Sequence, residues 1–292
     1  MRRGLLLALG LLATALAACA PEPAVAKPPV WVVRDADSEL VIFGSVHVLP
    51  PGLDWRPPSL EAALAEADDL WFELPVDPAA EAEIAGLAAA RGVGAPGWSL
   101  SASLSPEGAQ RLRRAVDALG LGFALVDRLE PWFAEVMLAA AQYRRAGADA
   151  AFGVEKAISA AAPAGIERRA FETPDEQIAL FDAAPLPEQI ASLEQSLREM
   201  EARPDAYADL VARWMAADLD ALEADVLAPL RRVAPVLYAR LVSERNARWV
   251  VALAERLDGS GRTVVVVGVG HLVGEEGLPA QLRALGYSVE GP

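Results

Sequence analysis

Reactive side chains are scarce in this 292-residue chain, which has one cysteine, Cys19, and two histidines, His47 and His271. A single cysteine excludes an intrachain disulfide. Basic residues are also few, 26 against 41 acidic ones, for a net charge of −15. That balance argues against nucleic acid, whose phosphates would be repelled. It selects no substrate, because an acidic surface is usually a solvated face. Beyond the first twenty residues no apolar run is long enough to span a membrane, and Thr263–Val269 is only strand-length. Several familiar catalytic motifs are missing as well. There is no Gly-x-Ser-x-Gly elbow, no P-loop and no His-Glu-x-x-His. The Gly268-x-Gly270 pair lacks the third glycine of a dinucleotide fingerprint, and His271 intrudes.

What is present is a globular composition, 53% apolar and 23% charged, with a core's worth of aliphatic side chains. The N-terminus reads as an export signal over residues 1–18. Arg2 and Arg3 form the positive n-region and Leu5–Ala18 the apolar h-region. Leu16-Ala17-Ala18-Cys19 has the form of a bacterial lipobox, with Cys19 as the lipidated residue after cleavage. The alternative is an ordinary secretory signal with a chance cysteine at its end. Ala20–Pro29 holds four prolines in ten residues and reads as an extended tether. The expectation is a protein on the periplasmic face of the bacterial envelope. Ala20 after the cysteine resembles outer-membrane sorting, and loss of Arg2 and Arg3 leaves a net charge of −17.

Residues 30–292 read as one α/β domain, a central β-sheet flanked by helices with a large helical insertion over about 100–235. Strand signals lie at both ends: Val30–Arg34, Glu39–Gly44, Asp69–Leu74, a weaker Glu167–Glu172, the fully apolar Thr263–Val269, and Tyr287–Glu290. Helices are expected over 59–67 with Ser59 as cap, 106–119 capped by Ser105, 131–146, and from Thr173 through Ala183 with a capping box. Further helices are expected over 187–201, 204–216, 219–227, 236–257 and 277–285.

The two histidines share one local setting. Gly44-Ser45-Val46-His47 follows the strand ELVIF, and Gly268-Val269-Gly270-His271 follows TVVVV. Each turn presents an imidazole at the carboxyl end of a strand, the edge where open parallel sheets bind ligands. A lone histidine there is more often a hydrogen-bonded structural residue. Two in matched settings bring shared ligation of a divalent ion into consideration. An ion needs further ligands and a hydrolase needs a base. Glu73 and Glu172 end strands among apolar neighbours, and Glu155 opens a helix after Gly153. Arg245, in Glu244-Arg245-Asn246, either packs on Trp249 one turn away or steadies a carboxylate or an oxyanion.

Taken in order, FGSVHVL (43–49), LWFEL (70–74), GVEK (153–156), FETPDEQ (171–177), ERNARW (244–249) and VGVGHLVGEEGL (267–278) resemble the TraB/GumN family, which is related to the Tiki metalloproteases. The resemblance runs from about Val30 to the C-terminus. It implies a divalent-metal site, Mn, Co or Zn, built by His47, His271 and Glu73, with Arg245 and Glu73 in catalysis and a peptide or protein as substrate. Glu155, Glu172, Glu244 and Asn246 fall at supporting positions. Ser45 stands where threonine is common, and the segment before Glu172 is more charged than a buried strand. Two rival expectations are a non-catalytic lipoprotein that binds a metal or haem, and an accessory protein of envelope polysaccharide export.

Overall fold

The computed structural model describes residues 27–292. The signal, the lipobox and Cys19 lie outside the described residues. The fold is α/β, as the strand and helix signals imply. Six strands form one mixed sheet: β1 (Val30–Arg34), β2 (Ser38–Ser45), β3 (Asp69–Phe72), β4 (Glu167–Ala170), β5 (Gly261–Gly268) and β6 (Ser288–Glu290), in the order β4-β3-β5-β2-β1-β6. The four strands β4, β3, β5 and β2 run parallel, while β1 pairs antiparallel with both β2 and β6.

The apolar patterns follow from this order. β5 lies between β3 and β2, so both of its edges are paired, and its side chains alternate between the two apolar clusters on either face, leaving Val264–Val267 fully buried. β4 forms an edge, and all four of its residues, Glu167–Ala170, are exposed. Charge on an edge strand blunts pairing with other chains, which accounts for the polar sequence of the weak strand. The two faces of the sheet carry separate cores. One includes Phe43, Phe72, Val264 and Trp214. The other includes Trp31, Ile42, Val265 and Trp249. A third apolar cluster, including Leu100, Leu112, Leu138 and Leu193, lies among the helices alone.

Helix starts largely follow their caps. Ser105 accepts from the Gly108 N–H, and Thr173 and Glu176 form the reciprocal capping box. Ser59 does not cap. The helix Pro58–Ala65 begins one residue before it, and Pro57 offers no side-chain acceptor. Helix Pro78–Arg91 has no counterpart among the sequence signals. Its alanine-rich run gives little amphipathic contrast, yet Asp77 caps it by accepting from Ala79 and Ala80. The long helix expected over 236–257 is interrupted. A π-turn at Ala239–Ser243 separates Pro235–Tyr238 from Glu244–Leu257. Such turns are frequent at functional sites.

One helical residue ties the middle of the chain to the sheet. Trp214 is fully buried, and its indole N–H donates to the Gly44 carbonyl at 2.8 Å. Its ring packs on Phe43 and Trp55. Trp214→Ala is expected to lower unfolding free energy by about 3–5 kcal/mol, as for other buried aromatics. Urea unfolding followed by circular dichroism measures this, and a loss below about 1 kcal/mol contradicts the role given to Trp214.

Candidate functional site

The parallel strands all end on the same edge, because Ser45 pairs with Gly268, and Phe72 pairs with both Val266 and Ala170. From these ends the chain delivers His47 two residues after β2, Glu73 directly after β3, Glu172 two residues after β4, and His271 three residues after β5. Four residues remote in sequence therefore reach one lip of the sheet.

The glycines of the two motifs make the approach close. A Cβ on Gly44 would meet Val269 at 3.0 Å, so the first motif packs directly on the second. A Cβ on Gly268 would lie 3.7 Å from His47 Nε2, 3.7 Å from His271 Cδ2 and 3.1 Å from Glu73 Oε1. Both rings and the carboxylate thus face a single point. Gly153 is pressed against the His47 carbonyl so tightly that no Cβ fits there. That contact lets the helix Val154–Ala161 bring Glu155 to the imidazole.

Each imidazole is oriented through Nδ1. His47 Nδ1 lies 2.6 Å from Glu155 Oε1, which also accepts from the Ser45 hydroxyl at 2.5 Å. His271 Nδ1 lies 2.6 Å from Asn246 Oδ1. The Asn246 amide N–H₂ donates to the carbonyls of Glu276 and His271. Its oxygen is thereby left to accept from His271 Nδ1–H, and the Nε2 lone pair faces the site.

Arg245 links the rest. It is 5% exposed. Nε and Nη2 donate to the two oxygens of Glu172 at 2.7 and 2.9 Å. Nη2 also donates to Glu73 Oε2, and Nη1 donates to the Leu241 carbonyl and to His271 Nε2 at 2.9 Å. A guanidinium has five N–H groups, and these contacts use all of them. Its face lies 4.5 Å from the Trp249 ring centroid, so the packing on Trp249 and the steadying of carboxylates coexist. Glu73 Oε1 accepts from the Gly268 N–H at 2.6 Å.

These contacts set the charges. Burial alone would raise the Glu73 carboxyl. His271, Arg245, His47 and the Gly268 N–H outweigh it and hold Glu73 at about 2, Arg245 being the cation that persists at every pH. The Glu155 carboxylate beside it raises His47 to about 9. Glu155 is itself lowered, the charge and hydrogen bond of His47 prevailing over burial. Burial holds His271 neutral down to about 4.

The lip therefore gathers His47, His271, Glu73, Glu155, Glu172, Arg245 and Asn246. Glu244 is exposed and makes none of these contacts. Sequence reasoning noted Ser45 only as a variant of the motif, and overlooked Gly153 as a packing position and Glu276. The Glu276 carboxylate accepts from Tyr238 and Ser243 while its carbonyl holds Asn246. Ser45 lay inside the first motif and Glu276 inside GEEG, so both could have been flagged by proximity. Residues able to hold a divalent ion are His47 and His271 through Nε2 and Glu73 through Oε1. As placed, no group of three His, Cys, Asp or Glu side chains among the described residues forms a coordinating set. The obstacle in view is the Arg245 N–H on His271 Nε2.

A mixed α/β protein with two strand-end histidines beside a buried Arg–carboxylate cluster is the class that fold and site define. Residues 29–291 match the model of the TraB/PrgY/gumN family, and the chain belongs to that family. It is similar to the uncharacterized protein YbaP of Escherichia coli strain K12, 26% identical over 258 residues that cover 88% of this chain and 92% of the relative. The YbaP protein of Shigella flexneri is 27% identical over the same shares. No solved structure matches.

The two imidazoles are the only ones in the chain, so proton NMR of metal-free protein in chelator resolves them. His47 is expected to titrate near 9 and His271 near 4. His271 and Glu73 have depressed values, so their stabilisation is present at neutral pH. It is lost as pH falls, from 6.5 toward 4 for His271 and from 4.5 toward 2 for Glu73. His47 is raised, so its contribution is present below 6.5 and lost as pH rises through about 9. Both rings titrating together near 6.5 contradicts the geometry.

Proposed function

We propose that this chain is a metal-dependent hydrolase of the bacterial envelope, acting on peptide bonds, with His47, His271 and Glu73 holding one divalent ion. The observation that carries the reading is the approach of both imidazoles and the Glu73 carboxylate to one point above Gly268. Support comes also from the fixed Nδ1 atoms, since metal-binding histidines commonly donate their other N–H to a carboxylate or carbonyl oxygen. Mn, Co and Zn all suit a set of two imidazoles and one carboxylate.

The ion would supply Lewis acidity at the scissile carbonyl. The protein's own groups divide the remaining work. A carboxylate held near 2 is a poor base at neutral pH, so Glu73 suits ligation better than proton transfer. Glu155 and Asn246 aim the two rings. Arg245 fixes Glu73 and Glu172. Its Nη1–H on His271 is the one donor released if Nε2 takes another partner, and that N–H is the group available to a substrate oxygen.

The saturated Arg245 favours a second reading. With His271 Nε2 already hydrogen-bonded, the same cluster serves as a purely structural clasp in a non-catalytic envelope protein.

His47→Ala and His271→Ala are each expected to lose bound Mn²⁺, Co²⁺ or Zn²⁺ together with chelator-sensitive cleavage of a peptide library, by about 10²-fold or more. Unchanged metal content in both variants rules out the ligation and favours the clasp. The envelope reading includes lipidation at Cys19. Cells fed labelled palmitate are expected to label the wild-type chain and not Cys19→Ser, and equal labelling of both removes the anchor.

A further inference from the structure

The polypeptide enters the domain at the same edge as the candidate site. β1 runs antiparallel to β2, so its first residue, Val30, lies opposite Phe43, two residues short of the end of β2. Pro28 and Pro29 are buried ahead of it. The Lys27 ammonium donates to the Asp54 carbonyl at 2.6 Å and pairs with the Asp54 carboxylate at 2.8 Å. Asp54 belongs to the loop that leaves His47 through Leu49. Leu49 exchanges backbone hydrogen bonds with Asp149, a few residues ahead of Gly153 and Glu155. Entry point, loop and His47 are thus parts of one surface. Phe152 is 44% exposed on it and lines a hollow there with Pro50 and Leu53. Exposed apolar side chains of this kind are favoured at a bilayer surface.

Chain length restricts how an anchored domain can stand. Eight residue steps separate Cys19 from Lys27. In any conformation they span at most about 29 Å. A domain of residues 27–292 has a radius of gyration of about 18 Å and a diameter of about 45–50 Å. The opposite edge of the sheet carries the Asp35–Ser38 turn, where the Gly261 N–H donates to the Asp37 carbonyl. With that edge on a bilayer, the entry point would stand about one diameter above the lipid, farther than eight steps reach. A lipid on Cys19 therefore holds the strand-end lip toward the membrane. An extended substrate covers the same height in about nine residues.

We propose that the lip bearing His47 faces the bilayer and that the site acts on the membrane-proximal segment of a lipid-attached polypeptide. The orientation rests on lipidation of Cys19, and the substrate class rests also on the hydrolase reading.

The test uses the full chain expressed with its own signal, extracted in detergent and placed in phosphatidylcholine vesicles, whose uncharged surface does not repel an acidic protein. Mass spectrometry reads the lipid on Cys19. A donor dye is carried at Ala151 on the lip or at Ala36 on the opposite edge, both exposed positions. The acceptor dye sits on lipid head groups. Ser38 to Ser45 is seven steps along β2, so the two edges lie about 23 Å apart, and the Ala151 donor is expected to lose about twice as much emission as the Ala36 donor. A chain without lipid, equal losses, or a greater loss at Ala36 overturns the proposal. A long peptide palmitoylated at its N-terminus is then added to the same vesicles with Mn²⁺. Cuts are expected within about ten residues of the lipid, and cuts confined to the distal end overturn the substrate class. No cut anywhere, with the Ala151 donor still the nearer, supports the orientation and counts against the hydrolase reading alone.

Discussion

The Arg245 guanidinium is the interaction on which the site depends. Glu73 and Glu172 are both buried, at 9% and 5% exposure. Burying two carboxylates side by side is costly without a cation between them. Arg245 supplies it and binds both, and its hydrogen bond to His271 ties β5 to the ends of β3 and β4. Removing one member of such a buried group leaves charge unpaired, at a cost of about 3–5 kcal/mol. Arg245 itself is placed by the π-turn before it, whose Leu241 carbonyl accepts one of its N–H groups.

Topology explains why residues 224 positions apart in sequence meet. β2 and β5 are parallel neighbours in full register from Ser38–Gly261 to Ser45–Gly268, so the turns that follow them emerge side by side. Gly44 against Val269 and Gly268 beneath both rings are the places where a side chain would force them apart. His47 and His271 nevertheless differ in character. His47 stays open to solvent and gains charge from Glu155, whereas His271 is enclosed by Trp249, Asn246 and Arg245 and remains neutral.

Much of this was legible in the sequence. The central strands β2, β3 and β5 carried clear signals because most of their residues are buried, and β4 was weak because edge exposure frees it to carry charge. The candidacy of His47, His271, Glu73 and Glu172 for one edge followed from reading strand ends. The helix Pro78–Arg91 was missed because alanine contributes helix propensity without periodicity. Ser59 was misread as a cap because a proline ahead of it starts the helix one residue earlier. Arg245 was left between packing and binding, and spacing alone could not reveal that all five of its N–H groups are occupied. The supporting roles of Ser45 and Glu276 depend on contacts between segments distant in sequence, which a linear pattern does not encode.

Family membership and fold leave the chemistry to be decided at the point above Gly268. The most direct measurement is the anomalous diffraction of crystals soaked in Mn²⁺ or Co²⁺. The account predicts one peak about 2.0–2.2 Å from His47 Nε2, His271 Nε2 and a Glu73 oxygen, with Arg245 Nη1 withdrawn from His271. A soaked crystal without density there, and with Arg245 still hydrogen-bonded to His271 Nε2, contradicts it.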